Sequence, residues 1–134
     1  PARKGLSERA AAILLDGDLT RLSHDAVPDL ISALKADDEI IRARAAEVLG
    51  SIRPPAAAAA LPLMDALKDD SARVAANAAL SLGNMGSEPA VPKLKRALKH
   101  KHPDVRLAAQ TALERIGSPK ALKALGSRRR KTID

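Results

Sequence analysis

The sequence predicts an all-α fold of stacked antiparallel helical hairpins, with about three full repeats between capping helices. Three observations predict it. A script of Pro, Ala-Leu-Lys, polar turn, Arg and an Ala-rich run occurs three times along the 134 residues. Within each copy the apolar residues follow helical i, i+3, i+4 spacing. The chain has no Phe, Tyr or Trp, and its hydrophobic content of 46% is mostly Ala and Leu. Small aliphatic side chains let helices approach closely, whereas β-sandwiches draw on the aromatic and β-branched residues that are scarce here.

The elements follow in order. "SERAAAILL" from Ser7 reads as an N-terminal helix stopped at 16–18, and "DLTRL" from Asp18 as a second short helix. The repeats span about 26–53, 56–86 and 88–117. Their prolines are Pro28, Pro62 and Pro92, and their Ala-Leu-Lys blocks occupy 33–35, 66–68 and 97–99, so successive blocks start 33 and 31 residues apart. In the third repeat Leu94, Ala97 and Leu98 form one apolar stripe, and Val105, Ala109, Ala112, Leu113 and Ile116 another. "KHKHPD" separates the stripes, with Pro103 suited to a first helical turn and Asp104 to the positive end of the helix dipole. "DDE" at 37–39 and "DDS" at 69–71 serve the same purpose in the earlier repeats. After Gly117, Ser118 is a helix N-cap and Pro119 a first helical residue, opening a half-repeat over 118–125. One domain over 1–125 and a basic tail over 126–134 are expected.

Composition excludes several classes of function. Without cysteine there is no disulfide, thiolate metal site or cysteine nucleophile. No apolar run approaches the roughly 18 residues of a membrane span, and polar Ser7, Glu8 and Arg9 interrupt any signal-peptide pattern, so a cytoplasmic protein is expected. The net charge of +7 is uneven: residues 1–88 carry −3 and residues 89–134 carry +10, which points to an anionic partner for the C-terminal end.

The pattern of Leu-Lys, polar turn, Val-Arg, Ala-Ala and Leu-Gly resembles a HEAT repeat, and most closely the short HEAT-like repeats of bacterial proteins and phycobilin lyases. The resemblance covers about residues 26–125. "DVRLAAQTALERIG" is the best match and "IIRARAAEVLGSI" a good one; the second copy reads as having a turn two residues shorter. The resemblance implies an α-solenoid with one curved face lined by the second helices. It also implies a ladder of Asp–Arg hydrogen bonds between repeats, with Arg42, Arg73 and Arg106 as its arginines. Asp104 is in the best-matching Asp position, and Asp38 and Asp70 are offset from it.

Arg42, Arg73, Asp104 and Arg106 are therefore read as structural: a residue needed once per repeat suits a stacking brace, not a catalytic group. No Ser/His/Asp arrangement or glycine-rich phosphate loop occurs, so no enzyme and no cofactor are expected. His24, His100 and His102 read as solvated turn residues and not as metal ligands; His100 and His102, two residues apart, would diverge on a helix. With Ile41, Ala45, Val48 and Leu49 inward, the outward residues of the second helices are Arg44, Glu47 and Ser51, then Asn77 and Ser81, then Gln110, Thr111 and Glu114. They form a candidate surface for a protein partner. Lys93, Lys95, Arg96, Lys99, Lys101 and the run Arg128, Arg129, Arg130 and Lys131 form a candidate anion-binding surface. The principal expectation is a monomeric, non-catalytic protein-interaction scaffold. The alternatives are phosphate-led nucleic-acid binding of low sequence specificity and an accessory subunit of a lyase-like enzyme.

Overall fold

A computed structural model describes residues 5–133, with side chains described through Gly126. Helix α1 (Glu8–Leu14) is capped by Ser7, whose hydroxyl accepts the Ala10 N–H at 3.0 Å. Three hairpins follow: α2 (Val27–Ala33) with α3 (Glu39–Leu49), α4 (Ala60–Ala66) with α5 (Ala72–Asn84), and α6 (Val91–Ala97) with α7 (Pro103–Ile116). Helix α8 (Pro119–Ile133) closes the order, and no strand occurs among the described residues. The expected short helix at "DLTRL" is a 3-10 turn, Leu19–Arg21. Similar turns, His24–Ala26, Ala57–Ala59 and Glu88–Ala90, lead into α2, α4 and α6.

The caps explain where each second helix begins. Asp38 accepts the Ile40 N–H at 2.8 Å at the start of α3. Ser71 accepts from Val74 at the start of α5, and Asp69 accepts from Ser71 at 2.9 Å just before it. Pro103 stands in the first turn of α7, and Gly117 ends that helix in the left-handed conformation (φ 63°) that only glycine adopts without strain.

Two sequence expectations are revised here. The turns within the hairpins, 34–38, 67–71 and 98–102, are equally long, so the second is not shortened. The two extra residues of the first 33-residue spacing lie between α3 and α4. Ile41, Val74 and Val105 are then equivalent, as are Leu49, Leu82 and Leu113, all of them fully buried. On that register Arg42 and Arg106 correspond to Ala75, while Arg73 corresponds to Ile40 and Asp104. The second revision concerns the C-terminus: α8 does not end near Leu125 but stays helical to Ile133, so the basic run continues the last helix.

The core runs the length of the stack. Leu30, Leu63 and Leu94 enter it from the first helices, and the Ile/Val and Leu rows enter from the second, with buried alanines between them. The pairs α5–α7 and α3–α5 are the most extensive in the molecule, whereas α2, α4 and α6 make only sparse contact with one another. Glycine permits the tight layer. A Cβ on Gly50 would lie 2.6 Å from Ser81 Cα, and one on Gly83 would lie 2.6 Å from Ala112 Cα.

Candidate functional site

The exposed side of the second-helix layer carries a groove of about 600 Å³ between α5 and α7. Ala76, Leu80 and Ala108 form its apolar part, with Leu107 standing 63% exposed beside them. Arg73 and Asp104, at equivalent positions on adjacent helices, bring opposite charges to one end. Neither makes the brace expected of it: both are exposed, because each falls on the outward face of the first turn of its helix.

The residues read as a partner surface separate into two groups. Ser81 leaves it altogether. It is 2% exposed, and its hydroxyl donates to the Ala46 carbonyl, since its position is equivalent to Val48 and Ala112 in the packed layer. Asn77 lines the groove, but its Nδ2 donates to the Ala43 carbonyl at 3.0 Å, tying α5 to α3. Arg44 donates through Nη1 to the Leu14 carbonyl at 2.7 Å and fastens α1 to the stack. Thr111 lines the groove. Glu47, Ser51 and Glu114 are exposed; Ser51 donates to the Val48 carbonyl, and Glu114 accepts from Gln110 Nε2 at 3.2 Å. Sequence reasoning missed Leu80 and Leu107, because a leucine in an Ala-rich helix reads as core until the register is known.

Arg42 is the inter-repeat brace, and its acid is Asp69. Nε and Nη2 donate to the two carboxylate oxygens at 3.0 and 3.2 Å, while Nη1 donates to the Ala36 and Asp37 carbonyls, both at 2.9 Å. This bidentate geometry is the strong form of the ion pair. The hydrogen bonds that Arg42 donates to Asp69 hold the guanidinium pKa above its ordinary value, against the opposing effect of burial. Arg106 repeats the carbonyl half of the arrangement, donating to His100 and Lys101 carbonyls. The ladder is broken between the second and third repeats, where Ala75 occupies the arginine position and His100 the position of Asp69.

His100 is not a freely solvated turn residue. It is half-buried, and its Nδ1 accepts the His102 N–H at 3.0 Å, as Asp69 accepts from Ser71. Burial, and then the charges of His102, Lys101 and Arg106, lower its pKa from the ordinary 6.5. As pH falls, the unfolded chain therefore binds this proton first. The contribution of neutral His100 is complete above the ordinary value and is lost as pH drops below it toward the lowered folded value. His100→Asn retains an acceptor for the His102 amide. Urea unfolding followed from about pH 8 to about pH 5 should show a loss of stability in the parent chain that is smaller in this variant.

Lys95, Lys99 and Lys101 are exposed, as is Arg96; Lys93 is half-buried. Among the described residues these five lack a hydrogen-bonding or ion-pairing side-chain partner. The side chains of Arg128, Arg129, Arg130 and Lys131 lie outside the described residues.

This geometry of equal-turn hairpins, a tight second-helix layer and an arginine reaching into the next repeat converges with a comparison by sequence. A family model for HEAT repeats matches residues 60–134, more than half of the chain and all of α4 through α8. The chain belongs to the HEAT-repeat family. A model of the PBS lyase HEAT-like repeat matches residues 41–69 of this HEAT-repeat chain, from α3 to the turn that carries Asp69. No curated protein matches the chain. No helix among the described residues is long and apolar enough to cross a membrane.

Proposed function

We propose that this HEAT-repeat chain is a non-catalytic protein-interaction module that binds a partner through the groove between α5 and α7. Exposed Leu107 beside Leu80 carries the reading: an aliphatic anchor next to an apolar depression, on the layer whose helices pack most extensively. The fitting partner segment presents an aliphatic side chain to the two leucines, with an acidic group toward Arg73 and a basic one toward Asp104. Lacking Trp or Tyr anchors on this side, the contact would be of moderate affinity. The mixed charges of the groove favour a protein over a polyanion.

Nucleic-acid binding is the second reading, supported by the unpaired cations of α6 and its turn and by the helical continuation that carries the basic run. It would weaken steeply with salt. An accessory role in lyase chemistry is the third; the short PBS lyase HEAT-like match supports only the repeat type, and repeat type does not carry chemistry.

The test compares partners recovered by the parent chain, Leu107→Asp and Leu61→Asp. Leu61 is 71% exposed on first helix α4 and serves as a control for added surface charge. A partner retained by Leu61→Asp and lost by at least about tenfold with Leu107→Asp supports the groove. Equal recovery by all three chains would exclude it.

A further inference from the structure

Two clefts on the first-helix side occupy the same place in successive repeats. The cleft between α2 and α4 is lined by Ile31, Leu34, Lys35, Pro62, Asp65 and Asp69. Each has its equivalent in the cleft between α4 and α6: Met64, Leu67, Lys68, Lys93, Arg96 and His100. Ile31 and Leu34 keep apolar counterparts in Met64 and Leu67, and the first lysine is retained, so both clefts have an apolar floor. The polar wall is not retained. Pro62 becomes Lys93, Asp65 becomes Arg96, and Asp69 becomes His100.

These exchanges invert the charge. The first cleft holds one lysine and two carboxylates, one of them engaged by Arg42. The second holds three cations and no carboxylate in a volume of about 150 Å³. The side chains of Lys68, Lys93 and Arg96 have no hydrogen bond or ion pair with another described residue. Because Ala75 replaces the brace arginine, no guanidinium reaches His100 from the preceding repeat. With Nδ1 accepting the His102 amide, a neutral His100 carries its proton on Nε2, which is then a donor.

We propose that the cleft between α4 and α6 binds a phosphomonoester dianion, with Lys68, Lys93 and Arg96 neutralising the phosphoryl group and Met64, Leu67 and Ala97 packing against the carbons that carry it. The convergence of the cations selects this ligand. A single carboxylate would leave most of the positive charge unmatched. A phosphodiester backbone distributes one charge per phosphate along its length, whereas a monoester concentrates about −1.5 to −2 on three acceptor oxygens. Arg96 supplies the planar fork suited to such oxygens, and the lysines act as point charges. The site lies on the first helices, so it stands or falls separately from the α5–α7 groove.

The experiment titrates the full chain at low salt with inorganic phosphate, a phosphoserine peptide, the unphosphorylated peptide and a single-stranded DNA oligonucleotide, read by amide chemical shifts. Phosphate and phosphopeptide are expected to shift residues around the cleft, and the unphosphorylated peptide is not. Binding of phosphate without phosphopeptide also supports the site and assigns it to small phosphorylated molecules. Arg96→Asp, which installs the residue of the preceding repeat at an exposed position, should weaken phosphate binding by at least about tenfold. Lys95→Asp makes the same charge change outside the cleft and should weaken it by less than about threefold. Leu107→Asp should leave it unchanged. Failure of both phosphate and phosphopeptide to bind would overturn the proposal, as would equal weakening by Arg96→Asp and Lys95→Asp, or DNA binding in preference to both phosphate ligands.

Discussion

Leu82→Ala is expected to lower the unfolding free energy by about 2–5 kcal/mol. Leu82 is fully buried in α5, the helix that packs on α3, α4 and α7 at once. In a linear stack, contacts run mainly between neighbouring repeats, so a central position is supported from both sides and a cavity there weakens two interfaces. The surroundings have little means of collapsing into the void, because Gly50, Gly83 and the buried alanines around it already hold the helices close. Urea unfolding should give a lower midpoint with an unchanged slope, the sign of lost stability and not of altered compactness. The corresponding change at exposed Leu61 should remain within about 0.5 kcal/mol of the parent.

Gly83→Val should cost about 3 kcal/mol or more, for the opposite reason. Its first added carbon meets Ala112 Cα at 2.6 Å and Ala112 Cβ at 2.9 Å. The nearer atom is backbone, which no rotamer change moves, so α5 and α7 must separate. Ala112→Gly in the same chain would therefore rescue little. The glycine stands in the last turn of α5 and is kept there because it permits this approach. Gly126→Ala is the control: nothing lies within 4 Å of the added carbon, and thermal unfolding should show no loss.

These adjacent residues also show what the sequence made legible. The repeat, the helical class and the order of the hairpins follow from spacing alone, since Leu94, Ala97 and Leu98 form a stripe only on a helix. The carbonyl-bracing roles of Arg42 and Arg106 were accessible because both arginines follow the buried Ile or Val of their repeat. Arg73 imitates them from two positions earlier, so an alignment on the arginines instead of on the buried Val74 and Leu82 shifts the second repeat by two residues. That shift places Ser81 on the surface and gives Arg73 a structural role. The Arg42–Asp69 pair joins residues 27 apart, so no local pattern reveals it. The continuation of α8 was hidden by Gly126-Ser127, which reads as a stop, although the following Arg and Lys residues favour helix. The α5–α7 groove depends on Leu107 pointing outward, and a leucine's side of the helix is fixed only once the neighbouring repeat is in place.

The proposed function requires the second-helix layer to present the binding face. Hydrogen exchange of the full chain with and without its recovered protein partner tests it most directly. Added protection confined to α5 and α7 around Leu80, Leu107 and Thr111 is the predicted result. Protection confined to α2, α4 and α6, with α5 and α7 unchanged, would contradict it.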